Sequence, residues 1–378
     1  MVRAAVWTDE LTDGDRAALS PGVPADLPRR PDVLVVGGGV IGLATAVACR
    51  DAGLGSVVVL EREDRLAPAA SGGNGGSIAP DMHALTDPPE FVAFGRASLR
   101  RHVELADRFG HALRTTRWLQ ILPDGAGDLD RAAVRDLEPD LVLPDGARAR
   151  LVPDQRAVNP QRLAAALAAA CGGAVATGVA MTGVTQVGDR ITAVRTTVGD
   201  FHPGAVVAAT GLVPAPWSDG VEQHWVKGHM LALAPGPWRL GSVVSSDGFG
   251  GGNPLPDGTI LCGGTFDDGD SSPDVRPSVV AGLAGAFHRL LPATREAAIS
   301  HQWCCFRPVV LGRHPVIDRL PGTVNGWVSA GHFTTGVMMA PATGYALASW
   351  IASGRRPDGV ASFDLPGGDP LGTGFVPR

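Results

Sequence analysis

Lysine is nearly missing from this sequence: of the 32 basic residues, Lys227 alone is not arginine. Acids outnumber bases, giving a formal net charge of −6, so the chain lacks the electrostatic footprint of a nucleic-acid binder. Cysteine is scarce too. The five thiols (Cys49, Cys171, Cys262, Cys304 and Cys305) are odd in number and show no C-x-x-C spacing. That argues against a disulfide framework and a structural zinc site, and no metal is expected. The opening MVRAAVWTDELTDGDR carries acids and no apolar core, so no secretory leader is expected. One stretch free of Asp, Glu, Lys and Arg, residues 326–354, is long enough to span a bilayer. Its Gly, Thr, His332 and Pro341 fit a buried strand, turn and helix better than a membrane span. The expectation is a soluble cytoplasmic protein; a membrane- or partner-docked protein is the rival of another class.

Glycine and proline are abundant, 51 and 31 residues. They follow no period, and 44% of the residues are hydrophobic, which excludes collagen-like and disordered chains. Residues 1–30 are polar and Pro-rich and read as an N-terminal extension. The pattern then changes. DVLVV (32–36) is an apolar run of strand length, followed by GGGVIG, an apolar helix ending near Gly53, and a second run, SVVVLE (56–61). Strand, glycine turn, helix and strand make a βαβ unit with buried parallel strands. A glycine cluster, ASGGNGGSIAP, occupies 70–80, and periodicity predicts helices over 89–109 and near 129–137. Asn159-Pro160 caps a helix stopped by Gly172-Gly173. Short β-rich segments over 174–200 predict an antiparallel meander, and AVVAATG (205–211) a buried strand. Residues 225–320 alternate strands and turns, with a helix near 277–291, and 324–353 returns to strand, glycine and helix. The fold expected is α/β, a discontinuous nucleotide-binding domain with an inserted sheet.

Gly37-x-Gly39-x-x-Gly42 lies between a predicted strand and a helix, the context in which this fingerprint binds a dinucleotide. Gly37 permits the tight turn, Gly39 lets backbone approach a pyrophosphate, and Gly42 lets helix and strand pack closely. The phosphates sit at the positive end of the helix. Glu61 ends the second strand, where an acid hydrogen-bonds a ribose hydroxyl and disfavours a 2′-phosphate. NAD and FAD both remain open on these residues alone.

The series DVLVVGGGVIGLATAVACRDAGLGSVVVLERE, ASGGNGGSIAP, AVVAATG with PWSDG behind it, VKGHM, FRPVVLGRHPVID and SAGHFTTGVMMAPATG resembles the FAD-dependent D-amino-acid oxidase, glycine oxidase and sarcosine oxidase family. The resemblance covers roughly residues 31–354. It implies a Rossmann-like FAD-binding domain over 31–80, 150–224 and 322–378. The mostly antiparallel substrate-binding domain then comprises 81–149 and 225–321.

The resemblance places FAD against Gly37, Gly39, Val40, Ile41, Gly42, Glu61 and Arg62. From the second glycine cluster it adds Ser71, Asn74, Gly75, Gly76 and Ser77. Val179 and Gly211 follow, then Gly331, Phe333, Thr334, Thr335, Gly336 and Val337, with a closing helix aimed at the flavin. Arg307 matches the family arginine that holds the substrate carboxylate, a role suited to its planar fork. His332 is the other candidate for direct chemistry. Phe249, Phe266 and Thr334 are expected to wall the substrate pocket with Arg307. Thr334 stands where glycine oxidases commonly carry arginine, and the family's active-site tyrosines are missing, since Tyr345 is the only tyrosine. Cys305 resembles in spacing the cysteine that carries covalent flavin in sarcosine oxidases. The implied reaction is hydride transfer from an amine or amino acid to flavin N5, giving an imine, with oxygen or another acceptor reoxidising the flavin. A 2-hydroxy-acid dehydrogenase is the alternative, and it needs a base such as His332 or His229.

Overall fold

The computed structural model describes residues 5–122, 125–246, 250–311 and 315–365. A six-stranded sheet forms its first layer, in the order 316–319, 326–330, 205–211, 33–36, 57–60 and 175–176. The strands run parallel except for Val316–Arg319, which returns antiparallel to Gly326–Ala330. VLVV and VVVL are buried on both faces, as their unbroken apolar runs require. Val33, Val35, Val57 and Val59 face the helices Val40–Asp51, Pro160–Ala170 and Gly336–Ser353. Leu34, Val36, Val58 and Leu60 alternate to the other face, where they meet Phe201, Trp217 and Val310.

A second sheet of nine strands roofs the first layer. Its main path is 267–268, 223–233, 260–263, 250–254, 243–246, 113–122, 148–158 and 77–78, and Ile299–Val310 pairs along Gln223–Leu233. Its pairings are antiparallel except for Val243–Ser246 with Leu113–Leu122.

The helices over 89–109, 131–137, 160–170, 277–290 and 336–353 form where periodicity and capping signals lie. Two expectations differ from the structure. Of the meander over 174–200, only Met181–Val187 and Arg190–Thr196 form a hairpin; Val175-Ala176 instead joins the first sheet parallel to Val59-Leu60. Two residues are too short to show alternation, and a chain leaving a crossover helix enters the sheet parallel. The sequence-based boundaries also differ from sheet membership. Ser77-Ile78 and most of Arg148–Val158 fall inside the expected nucleotide segments but pair in the second sheet. Val316–Arg319 falls inside the expected insert but belongs to the first sheet.

Residues 5–22 are anchored to the rest of the chain. Val6–Thr8 forms a 3-10 turn and Asp13–Leu19 a helix capped by Thr12, and Ala5, Val6, Trp7, Leu11 and Leu19 are buried. The segment then follows the first layer: Leu66 N–H donates to Leu19 O at 2.7 Å, and Thr177 N–H to Gly22 O at 3.0 Å.

Candidate active site

The strand Val33–Val36 ends at Gly37, whose φ is +117° and where a Cβ would stand 2.3 Å from Ala209 O. A Cβ on Gly42 would stand 1.9 Å from Gly37 O, so helix and strand meet without a side chain between them. Gly39 caps the helix Val40–Asp51 with no side-chain bond of its own; Val40 N–H donates to Ser71 Oγ at 3.2 Å. Glu61 closes the next strand. Its Oε2 accepts Gly38 N–H at 2.7 Å and its Oε1 accepts Glu63 N–H at 3.0 Å. Burial pushes the Glu61 carboxyl up, and the hydrogen bonds from Glu63 and Gly38 oppose it. Val179 lies alongside, its N–H donating to Glu61 O at 2.8 Å.

A cavity of about 920 Å³ runs from Glu61, Arg62 and Val179 past the glycine turn to Trp225, His332 and Phe333. It lies near the top of the roughly 300–1,000 Å³ range of small-molecule sites, as a dinucleotide requires. Gly37, Gly39, Val40, Ile41, Ser71, Asn74, Gly211, Gly336 and Val337 also line it. Gly42, Gly75, Gly76, Ser77, Gly331, Thr334 and Thr335 do not. Gly42 is packed against the strand, and Ser77 pairs with Ala157 in the second sheet. Ser329, from the strand Gly326–Ala330, lines the cavity with a buried Oγ that has no partner among the described residues. That serine opens the SAGHFTTGVMMAPATG segment, but nothing in the segment marks its hydroxyl. Asp268, Gly269, Asp270 and Ser271 reach the same cavity from the second sheet, also without a sequence signal.

The far end is built by the last helix. Thr335 N–H and Oγ1–H both donate to His332 O, at 2.8 and 2.9 Å, which shapes the turn into Gly336. No side chain caps the helix start, and no charged residue occupies its first turn. His332 is buried, with Nε2 3.4 Å from Thr343 Oγ1. Pro341 has no N–H, which removes the intrahelical donor to Val337 O. His102 Nε2–H replaces it, donating to Val337 O at 2.9 Å with Met338 O 3.2 Å away, and Ala342 N–H turns to Ser98 Oγ.

Arg307 sits on Ile299–Val310, half-buried beside the cavity and not lining it; its strand neighbours Phe306 and Pro308 do. Its Nη1–H donates to Thr265 O at 2.7 Å, and its Cζ stands 4.6 Å over the Phe266 ring. Phe266 in turn packs on Phe333 with ring centroids 5.6 Å apart, and Phe333 lines the cavity. The bare backbone of Gly228 makes room, since a Cβ there would stand 2.3 Å from Nη1. Burial lowers the pKa of Arg307 from the usual arginine value. Among the described residues no carboxylate forms an ion pair with it. Phe266 keeps 45% of its surface exposed, and Phe249 lies outside the described residues.

Cys305 is buried off the cavity, its thiol 3.6 Å from Gly73 O and its pKa pushed up by burial. His229 is committed to structure. Its Nε2 accepts Arg276 N–H at 3.1 Å, so the proton sits on Nδ1, 2.9 Å from Asp267 Oδ2. Lys227 is fully buried, its Nζ donating to Asp270 Oδ2 and Asp274 O. Among the described residues no group of His, Cys, Asp or Glu could hold a metal ion, and no helix is long and apolar enough to cross a membrane.

A glycine turn braced by a buried carboxylate, a long cavity and an uncapped helix start at its far end define a dinucleotide-binding α/β protein. The chain belongs to the DAO family, FAD dependent oxidoreductase, which matches residues 32–350. It is an FAD-dependent oxidoreductase, with FAD as its cofactor. It is 28% identical to the Pseudomonas putida glycine oxidase over 344 residues, 82% of this chain and 92% of that one. It is also 28% identical to the bifunctional protein ThiO/ThiG of Synechocystis sp. over 353 residues, 82% of this chain. The chain spans about half the length of the ThiO/ThiG relatives it matches. Glycine oxidase from Geobacillus kaustophilus shares the fold with a TM-score of 0.79 at 23% identity, covering 90% of this chain and 99% of that one. L-Proline dehydrogenase from P. horikoshii gives 0.79 at 18%, covering 89% and 97%. At these identities the two structures speak for the fold alone.

Proposed function

We propose that this protein oxidises an amino acid or a related amine, in the manner of a glycine oxidase, with Arg307 holding the substrate carboxylate. One observation carries the reading: a half-buried guanidinium beside the cavity uses one hydrogen bond on Thr265 O and has no carboxylate partner among the described residues. The guanidinium fork fits a planar carboxylate at two points, and its remaining N–H groups are available for one.

The residues present fit FAD. Glu61 stands where a ribose is held, Gly39 and the start of its helix face a pyrophosphate, and Ser329 Oγ is a buried polar atom in want of a partner. Gly336 and Val337 line the cavity and open a helix whose positive end would favour negative charge on a bound flavin. When bound, FAD supplies the two-electron acceptor for a substrate C–H hydride. Arg307 anchors the substrate, the Phe266–Phe333 pair narrows its approach and excludes water, and positioning carries most of the rate enhancement. Thr334 gives no second positive contact and points to a less polar pocket than that of a glycine-specific enzyme.

The hydroxy-acid alternative needs a base for the substrate hydroxyl. His229 has neither ring nitrogen free, so of the two histidines named for that role only His332 remains; it lines the cavity, as does His224. The test is anaerobic titration of the purified holoprotein, following the visible flavin band. The panel is glycine, sarcosine, cyclic imino acids, D- and L-amino acids and 2-hydroxy acids. Bleaching by one amine class is expected, and bleaching by hydroxy acids alone overturns the reading. Arg307→Ala is expected to raise KM for that substrate at least roughly tenfold, the scale of a lost charged hydrogen bond, with FAD still bound.

A further inference from the structure

The second glycine cluster is held from behind by four side chains in succession. Gln161 Nε2–H donates to Gly72 O at 3.1 Å, Trp303 Nε1–H to Gly73 O at 3.0 Å, Trp7 Nε1–H to Asn74 O at 2.7 Å and Asn253 Nδ2–H to Gly75 O at 3.2 Å. In a trans peptide the carbonyl of one residue and the N–H of the next point in opposite directions. The two indoles therefore turn the N–H groups of Asn74 and Gly75 away from themselves. Among the described residues neither N–H has a protein acceptor, whereas Gly73 N–H is taken by Ala69 O and Gly76 N–H by Asn74 Oδ1. Asn74 lines the cofactor cavity.

Trp303 belongs to the stretch that matches the family, but Trp7 lies outside it, since the match begins at residue 32. Trp7 is nonetheless among the best-anchored residues of the chain. It is 2% exposed, sits with Met230, Leu261 and Trp303 in one apolar cluster, and its own carbonyl accepts Asn159 Nδ2–H at 3.0 Å. We propose that Trp7 is a positioning residue for FAD: by fixing Asn74 O it presents the Gly75 N–H to the bound cofactor. The N-terminal segment is thus part of the FAD site, acting on it through the peptide unit between Asn74 and Gly75. The inference depends on FAD binding and is independent of which substrate is oxidised.

The test uses apoprotein stripped of FAD, reconstituted by titration and read by quenching of flavin fluorescence and by the visible spectrum. Trp7→Phe keeps an aromatic ring and deletes the donor; Leu11→Ala removes apolar contact from the same segment without touching the loop. Trp7→Phe is expected to raise the FAD Kd roughly fivefold, the scale of one net hydrogen bond, and to shift the bound flavin's visible band. Leu11→Ala is expected to lower thermal stability while leaving Kd and spectrum as in the parent protein. A parent-like Kd and spectrum for Trp7→Phe, or an equal loss of affinity in Leu11→Ala, overturns the proposal. Hydrogen exchange on the unsubstituted protein gives a second reading that no folding defect can confuse. The amides of Asn74 and Gly75 should become protected when FAD binds, and unchanged exchange there also overturns it.

Discussion

Gly42 has no space for even one methyl group, because a Cβ would fall 1.9 Å from the backbone oxygen of Gly37. Gly42→Ala must push the helix off its strand and is expected to cost about 3 kcal/mol, the scale of forced overpacking, measured by urea unfolding of the apoprotein. A full-stability Gly42→Ala protein would show that the turn can relax. At Cys305 the expectation runs the other way. Its thiol is buried, raised in pKa and off the cavity, so acid precipitation should leave the yellow flavin in the supernatant. Colour in the pellet would mean a covalent link. These two residues differ in how far the sequence reveals them. Gly42 is legible because its spacing from Gly37 and Gly39 is a geometric demand of the turn. Trp7 and Ser329 are not legible: one sits in a polar, Pro-rich stretch and the other is a single hydroxyl in an apolar strand. For Trp7 what matters is a partner far away in the chain, Asn74 O, and for Ser329 its place on the cavity wall.

The closing helix shows how an element is kept in shape by a residue outside it. Pro341 breaks its hydrogen-bond ladder, and the His102 imidazole, from the helix Pro89–Phe109, supplies the missing donor. Burial pulls the His102 pKa down to about 4, and the hydrogen bonds to Val337 and Met338 only partly offset that. Its folded pKa lies below the unfolded value of 6.5, so below that pH the unfolded chain binds the extra proton. Stability should therefore fall as pH drops from about 6.5 toward 4, by about 2 kcal/mol at pH 5 for this residue. His102→Gln, which keeps an N–H donor without the titration, is expected to flatten that part of the stability–pH curve. A curve unchanged by the substitution would assign the acid sensitivity to other groups. The helices themselves were readable, since Pro89–Phe109 and Gly336–Ser353 carry strong periodic or charge-free patterns. The strands Leu113–Leu122 and Arg148–Val158 were not. LRTTRWLQIL and RARLVPDQRAV place arginines on their half-exposed faces, and their apolar positions are too few to stand out.

At the scale of the molecule, the cavity is assembled from segments spread between Val36 and Val337. A ligand that touches so many segments stabilises only the folded chain. FAD at a hundred times its Kd should raise unfolding stability by about 2.7 kcal/mol, visible as a higher melting temperature of holoprotein than apoprotein. Equal melting temperatures would mean that FAD does not favour the folded chain over the unfolded one. The sheet beneath the cavity has a further consequence for how the protein is made. Val33–Val36 is synthesised about 170 residues before its neighbour Ala205–Gly211, and the strand beyond, Gly326–Ala330, comes later still. Until then one side of the nascent βαβ unit is an unpaired apolar edge, the kind that sticks to other chains. The wall formed by Gly336 and Val337 is translated about 300 residues after Val33–Val36. Completion of the cofactor site thus waits on chain made long after the glycine turn, and FAD cannot cover that edge in the meantime.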